Sequence, residues 1–267
     1  MWYKVSAGAF SPQSAPGLGP FRLFPHITQP LRKESKLRMR RLLLSSFLVC
    51  AAFTHSAYVS PTVSQQIIHV QDPAAGEFLA RWKDKRIGKH LGGAFWTAAH
   101  DHTDRKHLKE VERFVAAIAQ VERGDGSKLA QLGGMKVFKE RLSAMLNEDE
   151  PTRALAATLL GACGDKSYTD QIAVLLKPRK RERDMPRYDR GRAAMALGWL
   201  GAKQYTLDLV KLLKSTNDFD RAGAAFGLGA LGATEHRSKV AALLNDSEEG
   251  VRNAAKESLE MMRETSK

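Results

Sequence analysis

Two short stretches concentrate the side chains that could do chemistry. Residues 100–107 read HDHTDRKH, with three histidines and two aspartates in eight positions. Imidazole and carboxylate together suit a divalent transition metal, and His100, His102 and Asp104 would be the ligands. Their spacing matches no recognised ligand pattern, however. Thr103-Asp104 reads as the start of a helix, TDRKHLKEVERFVAAIAQVE, on which His107 shares a charged face with Lys106 and Lys109. The expectation is therefore a solvated loop running into a helix, with no metal and no cofactor. The second stretch, KPRKRERDMPRYDRGR at 177–192, holds eight basic residues against three acidic ones. Its Arg179, Lys180, Arg181, Arg183 and Arg187 form a candidate docking patch for an acidic protein, an anionic glycan or a lipid headgroup.

Neither stretch comes with a nucleophile, a carboxylate pair or a metal constellation, so the elements that carry them become the better guide. Residues 190–202, RGRAAMALGWLGA, align without a gap on 221–233, RAGAAFGLGALGA. Upstream, RALAATLLGACGD at 153–165 falls on the same columns, and RNAAKESLEM at 252–261 does so downstream. The anchor arginines Arg153, Arg190, Arg221 and Arg252 are spaced 37, 31 and 31 residues apart. After Gly164, Gly201 and Gly232 comes a second helical segment, with a Leu-Leu pair 11 and 12 residues past each glycine. The same distance from Gly134 reaches Met145 and Leu146, a degenerate leading unit. Two helices repeating every ~31 residues specify an α-solenoid, because one unit cannot bury its apolar face alone.

An interior glycine costs about 1 kcal/mol against alanine, so a repeated glycine needs a repeated reason. Gly164, Gly201 and Gly232 stand where the first helix ends, and a left-handed closing residue is expected there. Gly161, Gly198 and Gly229, one turn earlier, should let the next unit approach closely. The anchor arginines read as structural, pairing with carboxylates or carbonyls at a neighbouring turn. Asp246 with Glu249 reads as a capping box for the last helix. Glu260, in place of the first glycine, suits a terminal helix with a polar outer face. Cys163, mid-pattern on an apolar face, reads as a small buried hydrophobe.

The columns R-x-x-A-A-x-x-L-G-x-x-G followed by an L-L helix resemble the short HEAT-like repeats first noticed in phycobilin lyases, over about residues 128–263. The resemblance implies an all-α solenoid of stacked antiparallel helix pairs. Enzymes built on similar repeats fit less well. Deoxyhypusine hydroxylase holds iron on His-Glu pairs, and this sequence has no His-Glu dipeptide. Alkylpurine DNA glycosylases use a basic groove with aromatic residues. Here Trp199 occupies a column filled by Ala162 and Ala230, which suggests packing and no nucleic-acid partner.

The formal charge of +13 is unevenly spread: residues 1–57 hold eight Lys/Arg and one acid. From Met39 the chain reads MRRLLLSSFLVCAAFTHSAYVSP, a basic start, a 12-residue apolar run (Leu42 to Phe53) and then small residues. That is the layout of a secretory signal peptide, with cleavage expected after Ser56 or Ala57. The expected divisions are a misassigned or disordered leader at 1–38, a signal peptide at 39–57, a linker and N-terminal helical cap at 58–127, and the repeat array with its C-terminal capping helix at 128–267. Within 58–127, residues 58–75 read as extended or disordered, and helices are expected at 76–86 and 103–122, covering the first repeat.

The function this implies is an exported, monomeric, non-enzymatic scaffold in the periplasm or outside the cell, binding a protein partner of acidic character or an anionic glycan or lipid. The alternatives are a lyase-like or metal-binding accessory enzyme using the histidine cluster, and an inner-membrane protein anchored by residues 42–60. Arg141, Gln171, Asp208 and Lys239, each seven residues past a closing glycine, would form a mixed-charge stripe on the second helices.

Overall fold

A computed structural model describes residues 72–100, 105–177 and 188–265. The leader at 1–38, the apolar run at 42–53 and most of the basic stretch, 178–187, lie outside the described residues, as do His102 and Asp104. The described residues form twelve α-helices with short 3-10 turns and no strand. They are α1 (Pro73–Lys83), α2 (Lys85–His100), α3 (Arg105–Val121), α4 (Ser127–Gln131), α5 (Gly134–Met145) and α6 (Glu150–Cys163). There follow α7 (Thr169–Ala173), α8 (Asp189–Trp199), α9 (Thr206–Leu212), α10 (Asp218–Ala230), α11 (Arg237–Ala242) and α12 (Glu249–Glu264). Among these, no helix is long and apolar enough to cross a membrane.

The architecture is a helical repeat solenoid. The first helices α6, α8, α10 and α12 stack one on the next, and α5, α7, α9 and α11 each pack on the first helix that follows. Between layers the chain reverses through Gly164, Gly201 and Gly232, at φ of +75°, +66° and +64°. Those values lie where a Cβ is penalised, so the glycine column is a conformational requirement.

The glycines one turn earlier answer to space. A Cβ on Gly198 would stand 2.7 Å from the Cα of Gly227, and one on Gly229 would stand 2.7 Å from the Cα of Ser258. The seam between α8 and α10 is tighter still at a pair the periodic reading passed over: a Cβ on Gly223 would lie 2.2 Å from the carbonyl oxygen of Gly191. At the last seam the Ser258 hydroxyl donates to the Ala225 carbonyl at 2.6 Å. This leaves no polar orphan where the backbones touch.

Residues 73–100 extend well beyond the first repeat. Asp72 starts α1, accepting from the Ala74 N–H, and its other carboxylate oxygen accepts from the Met135 N–H at 2.9 Å, tying α1 to the start of α5. Phe78, Trp82, Phe95, Phe114 and Phe138 form a chain of ring contacts that joins α1, α2, α3 and α5. Helix α2 then crosses the first-helix layer. It packs on α6, its His90 meets Trp199 of α8 and Phe226 of α10, and its Lys89 and Arg86 reach Glu257 and Glu264 of α12. A 16-residue helix is about 24 Å long, which matches three interhelical gaps of ~8–10 Å.

The first helices therefore lie between two layers, the second helices on one side and α2 on the other. Every residue of α6 is buried, polar ones included. Two local expectations change. Helix α1 begins at Pro73, inside the segment read as extended, because Asp72-Pro73 supplies an N-cap and a proline in the first turn. Asp246 is not the cap of α12; that helix starts after Glu248, and Asp246 belongs to an ion pair.

Candidate functional site

The anchor arginines build a ladder along one edge of the array. Arg153 Nε donates to Asp189 at 3.0 Å and Nη1 to the Glu148 carbonyl at 2.7 Å. Arg190 reaches Asp220 at 3.1 Å. Arg221 grips Asp246 through Nε and Nη2, both at 2.8 Å, which holds the Asp246 carboxyl below its ordinary range. Arg252 closes the series on the carbonyls of Asp246 and Ser247, both at 2.7 Å. Arg153, Arg190 and Arg221 thus fasten the start of their own first helix to the start of the next or the turn before it, and Arg252 ties the last helix to the turn that leads into it. The geometry of the ladder is one of fastening; Arg153 and Asp189 are 2% and 1% exposed, out of reach of a ligand. The acceptors were readable in part, since an aspartate precedes the next anchor at Asp189-Arg190 and Asp220-Arg221.

The stripe on the second helices lies open to solvent. Arg141 is exposed and pairs with Glu110 at 3.4 Å. Gln171 accepts from the Ser143 hydroxyl, linking α7 to α5. Asp208 pairs with Lys211 at 2.8 Å, and Lys239 is exposed. The Tyr205 hydroxyl donates to Asp170 at 2.7 Å, so α9 is tied to α7 in turn. Among the described residues the exposed large hydrophobics are Val174 and Leu207, 44% and 66% exposed. Both stand in this same layer.

Of the candidate basic patch, Arg179, Lys180, Arg181, Arg183 and Arg187 lie outside the described residues. Two basic residues at the end of that stretch do not belong to a loop. Arg190 is engaged by Asp220, and Arg192, in the first turn of α8, donates to the His90 carbonyl of α2 at 3.1 Å. Of the histidine cluster, His102 and Asp104 lie outside the described residues. His100 ends α2, the next described helix is Arg105–Val121, and His107 Nε2 lies 4.0 Å from Glu148. Among the described residues no group of three side chains is placed to hold a metal ion.

Other ionisable groups serve the fold. Burial pushes the Cys163 thiol up to about 12, leaving it unreactive as a thiolate at neutral pH. Asp165 starts the turn before α7; hydrogen bonds from Lys139 and Ser167 bring its carboxyl down to about 2.

Residues 179–260 match the family model for HEAT repeats, a span that takes in α8 to α11 and most of α12. No curated protein matches the chain. The matched segment carries HEAT repeats, and the helix pairs before it stack in the same register.

Proposed function

We propose that the chain is an interaction scaffold that docks another protein on the open face of its second helices. HEAT repeats suggest such a role, because stacked units present an extended surface whose side chains vary while the packing columns repeat. The observation that carries this reading is a difference between the two faces. Helix α2 occupies one side of the first-helix layer, whereas the turn that ends α7 leaves Val174 in water and α9 leaves Leu207 there, near in sequence to Gln171 and Asp208. Apolar side chains bordered by polar ones are the composition of an interface centre and rim.

The scaffold acts outside the cytoplasm in this reading, on the strength of the basic-apolar-small order of residues 39–57. The basic stretch at 179–187 would add attraction for an acidic partner. No residue is assigned a catalytic role.

The test is paired substitution of Val174→Asp and Leu207→Asp in the full chain, followed by affinity capture from an envelope extract. Both side chains are exposed, so the melting temperature should stay within about 2 °C of the parent. Retention of the captured partner should fall at least about tenfold, as for loss of an interface anchor. Unchanged retention would move the docking face elsewhere.

A further inference from the structure

Helix α8 departs from its sister helices at two positions, and both departures face α2. Where the other first helices carry Leu155, Gly223 and Ala254, α8 carries Arg192; where they carry Ala162, Ala230 and Met261, it carries Trp199. Seven residues apart, the two lie on one face of the helix. His90 of α2 sits against both: its carbonyl accepts from Arg192 at 3.1 Å, and its ring centroid is 6.3 Å from that of Trp199.

The polar accounting of this seam does not close. A guanidinium has five N–H donors, and Arg192 uses one, on a carbonyl. No carboxylate pairs with it among the described residues, although burial brings it down to about 10. The indole Nε1 of Trp199 and the imidazole Nε2 of His90 beside it are buried without a hydrogen-bond partner. Burial also pushes His90 well below its ordinary range, so its ring is neutral at pH 7 and offers one N–H. The neighbouring cations are already matched, Lys89 by Glu257 at 3.0 Å and Arg86 by Glu264 at 2.8 Å.

We propose that the seam between α2 and α8 is a binding site for a single carboxylate, held by Arg192 with the Trp199 indole and the His90 imidazole beside it. A planar two-oxygen anion of single charge suits one guanidinium fork. A phosphate dianion would call for a second unmatched cation, which the described residues of the seam do not supply. The seam lies on the opposite side of the first-helix layer from Val174 and Leu207, so this is a second site. It rests on the scaffold reading only in taking the carboxylate to belong to an acidic segment of a protein.

The measurement is a titration of the full chain, labelled with nitrogen-15, with sodium acetate and separately with an end-blocked tetraglutamate peptide, against sodium chloride at matched ionic strength. The Arg192 Nε–Hε and Trp199 Nε1–Hε1 resonances should shift saturably with the peptide. Arg192→Met should abolish the shift, an affinity loss of about tenfold or more, while melting no lower than the parent. Trp199→Phe, which keeps the packing, should weaken binding about threefold. A saturable response to acetate alone would keep the site and assign it to a small organic acid. Absence of a saturable response to either probe, or a response that Arg192→Met retains, would overturn the site. A positive titration combined with full partner retention by the Val174→Asp, Leu207→Asp pair would keep the site and reject the second-helix docking face.

Discussion

Arg153 and Asp189 form the most deeply enclosed pair of the ladder, and that enclosure sets what their removal should cost. A buried ion pair contributes little over an apolar pair of the same shape, whereas breaking it strands a charge away from water. Arg153→Met should therefore destabilise the fold by about 3–5 kcal/mol in urea unfolding, and Arg153→Met with Asp189→Leu should recover most of the loss. A single mutant within ~1 kcal/mol of the parent would mean that water reaches Asp189. The arginines were legible because they recur in register. Their acceptors were legible only where the Asp-Arg dipeptide repeats. At the end of the array that dipeptide is missing, Val251 preceding Arg252, and the carboxylate comes instead from Asp246, which looks like a helix cap when read locally. Local sequence reports which groups can hydrogen-bond but not which neighbour will reach them first.

At the scale of the helix, two glycine columns that look alike have different physical origins, and substitution should separate them. Gly201 has φ of +66° with nothing within 4 Å of an added Cβ, so Gly201→Ala should cost only the left-handed backbone penalty, about 1 kcal/mol. Gly223 is helical, where alanine is intrinsically favoured, yet its Cβ would strike the Gly191 carbonyl at 2.2 Å. Gly223→Ala should cost more, about 1–3 kcal/mol, by pushing α10 off α8. Equal costs in thermal unfolding would mean that the seam is loose. The helices of the array were legible in the sequence through their period. Helix α2 was not, because Gly88, Gly92 and Gly93 interrupt its pattern. At Gly88 the reason is steric: a Cβ there would lie 2.2 Å from the Trp82 carbonyl at the turn from α1.

For the whole molecule, α2 decides how much of the first-helix layer is open to solvent. Without it, the first helices would expose the side opposite their second helices; with it, they are enclosed and the array is fastened from α6 to α12. The ion pairs at the far end, Lys89 with Glu257 and Arg86 with Glu264, are exposed and contribute little energy individually, but they report the path of the helix. That path was beyond the reach of a repeat pattern, which gives the relation between equivalent units and is silent on a helix that is not one of them. The most direct measurement is zero-length carbodiimide coupling of the native full chain, read by peptide mass spectrometry. The fold described here requires an amide between Lys89 and Glu257, whose charged atoms stand 3.0 Å apart. Coupling of Lys89 only to carboxylates before residue 130, with none to the last helix, would contradict it and reopen the face that α2 is held to cover.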